Sequence, residues 1–119
     1  MSAADLHALL GDAYDETTPA QRDAVTAAVN AIAARWPEAD LQDTRDEALG
    51  GALRVILDGE RDQDVVAQWH RAVAAERAAH ARMTGAIIAA AALDPGESEV
   101  ARAARLNITR VTLRKALGR

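Results

Sequence analysis

From Asp62 to Leu93 the chain reads as one unbroken amphipathic helix, and no other stretch restricts the fold as much. Val65, Trp69, Ala72, Ala79, Met83 and Ile87 trace one apolar stripe at helical spacing, and Val66, Val73, His80 and Ile87 trace an adjoining one. Asp62 or Asp64 opens the helix and Asp94-Pro95-Gly96 breaks it. At 1.5 Å per residue, roughly 30 residues make a rod of about 45 Å. A small core cannot cover that length, so part of the rod is expected to pack on a second subunit. Composition points the same way. The chain has 119 residues, no Phe and an apolar fraction dominated by Ala. Ala contributes little to a core, because burial stabilises by roughly 25 cal/mol per Å² of apolar surface. A homodimer is therefore expected.

The remaining punctuation gives only helices. Ser2 can cap a short helix to Leu10, with Asp5 where an acid suits the helix dipole, and Gly11 ends it. Thr18-Pro19 starts a second helix, whose stripe of Val25, Val29, Ile32 and Trp36 runs to Pro37. Asp40–Asp43 reads as polar linker. Thr44 with Glu47 forms a capping box for a third helix, with Leu49, Leu53, Ile56 and Leu57 on its apolar side and Asp58-Gly59 at its end. Gly50-Gly51 inside it costs about 1 kcal/mol per Gly against Ala, which suggests close helix packing at that point. A phosphate loop is the other reading of two adjacent glycines, but the preceding strand it needs is missing. No segment alternates as a strand does. The expected fold is all-α: a helical bundle with a long helix and a C-terminal helix-turn-helix. Its organisation is an acidic helical region over residues 1–60, a long helix serving dimerisation over 61–94, and a terminal motif over 97–119.

Charge isolates that terminal motif. Residues 97–119 carry six basic side chains (Arg102, Arg105, Arg110, Arg114, Lys115, Arg119) against Glu97 and Glu99, a balance of +4. The whole chain stands at −4, which leaves −8 on residues 1–96. A polyanion would bind the tail. Within it, Ser98 can cap a helix through Arg105, with Val100, Ala103 and Ala104 expected on the inner face. Asn107 sits where the turn needs a left-handed residue, and Leu106 and Ile108 flank it as anchors. Thr109 caps a second helix in which Leu113 and Ala116 or Leu117 face inward. Arg110, Val111, Thr112, Arg114 and Lys115 are left around the outside.

This run, Ala103-Ala104 followed by Leu106-Asn107-Ile108-Thr109-Arg110-Val111-Thr112-Leu113-Arg114-Lys115-Ala116-Leu117, resembles the helix-turn-helix of Fis-type and GntR-type bacterial DNA-binding proteins. Their pattern is roughly Ala…Leu-Gly-Ile/Val-Ser/Asn-Arg-x-Thr-Leu/Val-Arg-Lys/Arg-x-Leu, so Asn107 departs from the usual Gly. The likeness covers about 20 residues, and residues 1–96 resemble no particular family. It implies that Thr109, Arg110, Thr112 and Arg114 or Lys115 meet double-stranded DNA, the first residues of the second helix reaching base edges. The bland alternative is an amphipathic helical hairpin that merely ends a bundle.

Other chemistry finds less support. Glu76 and His80 are i, i+4 neighbours and His70 lies on the same helix, but a stable metal site needs three or four ligands at recognisable spacing. The acidic groups Asp12, Asp15, Glu16 and Asp58, Glu60, Asp62, Asp64 lack the Gly and closing Glu of a calcium loop. No Ser or Thr stands in a triad-like pattern with His and an acid. No enzyme activity, cofactor or metal is expected. Trp36 and Trp69 read as core or dimer anchors. Absent Cys suits a reducing cytoplasm, and no signal peptide or membrane-spanning run is evident. The Arg and Ala bias suits a GC-rich bacterial genome. The expected function is thus a sequence-specific, dimeric DNA-binding regulator of transcription. The competing expectations are an architectural or accessory DNA protein for recombination, partition or packaging, and a helical protein-interaction module that never meets nucleic acid.

Overall fold

The computed structural model describes all of residues 1–119, which form six α-helices and no strand. They are α1 (Ala3–Leu10), α2 (Pro19–Arg35), α3 (Gln42–Ile56), α4 (Asp62–Leu93), α5 (Glu99–Leu106) and α6 (Arg110–Ala116), with 3₁₀ turns at Gly11–Glu16 and Ala39–Leu41. The chain is all-α, and its long helix has the expected bounds. No helix is long and apolar enough to cross a membrane. The chain divides into two compact units, Met1–Gln68 and Trp69–Arg119, with the division falling inside α4.

In the first unit, local cap chemistry starts the helices. Ser2 caps α1 and Thr18 caps α2, each in a reciprocal capping box closed by Asp5 and Gln21. α2 packs against α3, but only Leu6 and Val25 are buried among the large apolar side chains of this unit. Polar side chains supply much of the remaining attachment. Arg22 donates to Thr17 Oγ1 and Thr17 O, both at 2.8 Å, and its guanidinium lies 4.4 Å from the centre of the Tyr14 ring. Gln21 Nε2 donates to Ile56 O across the α2–α3 contact. Arg54 grips Glu60 with two bonds of 2.6 Å and also reaches Gln68 Oε1 in the second turn of α4.

Three expectations fail in this unit. α3 begins at Gln42, not after Thr44, and no side chain caps it. The 3₁₀ turn at Ala39–Leu41 leads straight into the helix, so Asp40–Asp43 is no linker. Arg45 secures the entry from the opposite direction, donating to Trp36 O at 2.6 Å and Glu38 O at 2.7 Å, beyond the end of α2. Gly50 and Gly51 mark no close packing either, since a Cβ at either position would meet nothing within 4 Å.

In the second unit a single small core holds three helices. Ile87 of α4, Ala103 of α5 and Leu113 of α6 are buried together, and Met83, Leu106, Ile108, Ala116 and Leu117 pack around them. Leu113 is fully enclosed at 0 % exposure, a burial that stabilises by about 2 kcal/mol. Further back along α4, Trp69 is 61 % exposed and is not a core residue of the isolated chain.

Candidate nucleic-acid interface

Three local devices aim α6. Ser98 caps α5 by accepting from Ala101 N at 3.1 Å. α5 then ends at Asn107, whose φ of 54° and ψ of 46° make it the one non-glycine residue with positive φ. Asn tolerates this left-handed state better than most residues do. Its N–H donates to Ala104 O and the next N–H, of Ile108, donates to Ala103 O, which satisfies the carbonyls at the end of α5. One residue later Thr109 caps α6, accepting from Thr112 N at 3.1 Å, while the Thr109 and Thr112 hydroxyls pair at 2.9 Å. The turn is thus tight because both helix ends are satisfied within Asn107–Thr109. Leu106 and Ile108 anchor it against the core.

The inward face of α5 differs from expectation. Ala103 is buried, but Val100 is 65 % exposed and Ala104 is exposed as well. Arg102 takes the place expected for them, at 4 % exposure. Its Nη2 donates to Asp94 O at 2.7 Å, which ties α5 to the end of α4. Its Nε lies 3.8 Å from Glu97 Oε1 and has no hydrogen-bond partner. A single guanidinium bond to a backbone carbonyl eight residues away leaves no periodic trace in sequence, so the hydrophobic pattern does not reveal this face.

At 3.6 residues per turn, the fixed position of Leu113 sets the direction of every other α6 side chain. Val111, 62 % exposed, points away from the core. Arg110 lies on the flank toward α5, where its Nε donates to Glu99 Oε2 at 3.0 Å. Glu99 also accepts from Arg119 Nη1 at 3.0 Å. These bonds, that from Arg110 foremost, hold the Glu99 carboxyl below its ordinary range, and the nearby charge of Arg114 adds to the effect. Thr112 and Lys115 lie on the other flank, toward α4. Neither Arg114 nor Lys115 is engaged in an ion pair. All of Thr109, Arg110, Thr112, Arg114 and Lys115 therefore sit on one short helix and its cap. Thr109 is mostly spent on capping, Arg110 is held by a carboxylate, and Arg114 and Lys115 are unengaged.

Val111 lies on the outside of α6 as expected, although the resemblance assigns it no DNA contact. Its position between the two flanks of α6 was the available signal. The arrangement offers cationic donors, a hydroxyl and one exposed methyl pair on a single short helix. No protein-family model, curated protein or solved structure matches this chain.

Proposed function

We propose that this protein binds double-stranded DNA in a sequence-specific manner through α6 and regulates transcription as a homodimer. The observation that carries this reading is the outward face of α6, where Arg110, Val111, Thr112, Arg114 and Lys115 surround a helix fixed by buried Leu113 and the left-handed Asn107. A seven-residue helix is about 10 Å long and fits a major groove roughly 12 Å wide. Arg110 and Arg114 have the forked donors that match the O6 and N7 acceptors of guanine. The Val111 methyls, with the Thr112 methyl beside them, suit the methyl group of thymine. Lys115 supplies a phosphate contact, which positions the helix without reading sequence.

Charge supports the same reading. Residues 69–119 carry nine basic against four acidic side chains, a balance of +5, so attraction to a polyanion is concentrated in the second unit. One short helix reads few base pairs, and a two-fold dimer would place two copies on half-sites about 34–36 Å apart. Exposed Trp69, on the same α4 stripe as Met83 and Ile87, is the side chain best suited to anchor such a dimer.

The test is a duplex titration at two salt concentrations with the wild-type chain and an Arg110→Ala/Arg114→Ala variant. Loss of two phosphate- or base-contacting cations should weaken binding at least tenfold and reduce the salt slope by about 2. Circular dichroism should show the same helix content in both proteins. Equal affinity of the two proteins for every duplex would overturn the assignment of α6. An architectural role would instead appear as full affinity for random sequence, with no footprint preferred over another.

A further inference from the structure

Between α4 and α6 the second unit has an open groove of about 530 Å³, lined by His80, Met83 and Thr84 from α4 and by Thr112, Lys115 and Ala116 from α6. Each helix contributes positions i, i+3 and i+4, so one full face of each is turned into the groove. The floor is apolar, because Met83 and Ala116 pack on the Ile87–Leu113 core. The walls carry an imidazole, two hydroxyls and an ammonium group. No carboxylate lines it. Glu76 lies one turn earlier on α4, where it shares a separate hollow with His80 and with Arg77, whose charge offsets it.

The geometry points to a phosphodiester-binding site in this groove, which makes α4 a second contact surface for the DNA backbone beside α6. This rests on the reading of α6 as the helix that meets DNA. Three observations join here. Lys115 has no carboxylate partner, in contrast to Arg110 on the opposite flank. All four polar lining residues can donate hydrogen bonds, and a phosphodiester group offers only acceptors. The groove is open and bordered by the same α6 face that carries Thr112, so a strand passing along α6 reaches it without any change in the fold. A phosphodiester at this place would be contacted from both helices, by Lys115 and Thr112 on one side and by His80 and Thr84 on the other. Such contacts fix orientation and carry no sequence information. Four residues that are separated by about 30 positions along the chain would then act as one clamp.

The experiment uses the full chain, a random-sequence duplex and a selected high-affinity duplex across a salt series. Thr84→Lys puts a second ammonium at the groove, and His80→Glu puts a carboxylate there. Ala78→Lys, on the opposite face of α4, adds charge away from it. Thr84→Lys should tighten binding of both duplexes by a similar factor and steepen the salt slope by about 0.9, the effect of one added phosphate contact. His80→Glu should weaken both about fivefold, an order-of-magnitude expectation for one disrupted backbone contact at moderate salt. Ala78→Lys should change both far less. Should the wild-type chain bind DNA while Thr84→Lys and His80→Glu behave like Ala78→Lys, the groove assignment is overturned and the reading of α6 stands. A wild-type chain that binds no duplex at any salt overturns that reading and this one with it. Inorganic phosphate provides the final arm: if millimolar phosphate shifts the His80 and Thr84 resonances but neither variant alters DNA binding, the groove takes a free anion and the backbone assignment fails.

Discussion

The two units are built from similar Ala-rich helices and are held together in opposite ways. Residues 1–68 carry fourteen acidic against five basic side chains, a balance of −9, and residues 69–119 stand at +5. In the acidic unit three of the five arginines fasten backbone and turns, while Arg35 and Arg61 stay exposed. Arg22 secures Thr17, Arg45 holds the segment after α2, and Arg54 closes the loop before α4. In the basic unit most arginines face outward, and a small continuous core of Ile87, Ala103 and Leu113 does the fastening. Only Arg102 is turned in. Cations can be spent internally to fasten turns and backbone, as Arg22, Arg45 and Arg54 are. A surface that is to offer cations to a partner needs an apolar core to release them from that task.

The difference can be tested hardest at Leu113. Leu113→Ala removes the one fully enclosed large side chain of the second unit, and the loss should be about 3 kcal/mol. Amide hydrogen exchange should accelerate through α5 and α6 and stay unchanged in α2 and α3. Equal acceleration in both units would show that they unfold as one, and would remove the contrast drawn between them.

A smaller effect of opposite sign is expected in the acidic unit. Gly50→Ala and Gly51→Ala fill open space within α3, and each should stabilise by about 1 kcal/mol through helix propensity alone. Thermal melts of the two single variants and the double variant measure this. Destabilisation would mean that a second molecule approaches α3 closely at these glycines in solution.

The smallest effect concerns acid. Glu60 is held below its ordinary value of 4.5 chiefly by the Arg54 hydrogen bonds, and Glu99 likewise by Arg110. A carboxylate with a depressed folded-state value favours the fold above its unfolded value and loses that contribution as pH falls through the folded one. Stability should therefore be level in this respect above about pH 5 and decline below 4.5. Glu60→Gln should flatten the decline for α3, and Glu99→Gln should flatten it for α5 and α6. If Glu60→Gln leaves the acid limb of the melting curve unaltered, Arg54 does not fasten its loop through this carboxylate.

How much could be read from sequence followed the range of the interaction. Ser2, Thr18, Ser98 and Thr109 were legible as caps because a cap is settled within three residues, and Asn107 was legible because only its own backbone is at issue. The start of α3 was not, since Arg45 fixes it by reaching back to carbonyls beyond another helix. Thr44 and Glu47 satisfied the local rule at a place where the helix was already under way. The inner face of α5 was misread for a related reason. Eight residues give a stripe too short to orient, and the Asp94 carbonyl that draws Arg102 inward lies outside the pattern. The groove of His80, Thr84, Thr112 and Lys115 was invisible, because its two sides are about 30 residues apart and neither alone suggests a site.

On the proposed reading of α6, the Glu99 carboxylate acts as a threshold on the DNA that meets it. Arg110 is already supplied with a charged acceptor, so a polyanion that merely passes gains little by detaching it, whereas a ligand presenting two well-placed acceptors can outcompete one carboxylate bond. On that reading the same carboxylate would weaken indiscriminate contacts more than fitted ones. A single acidic side chain on the neighbouring helix would thereby turn a sticky surface into a selective one.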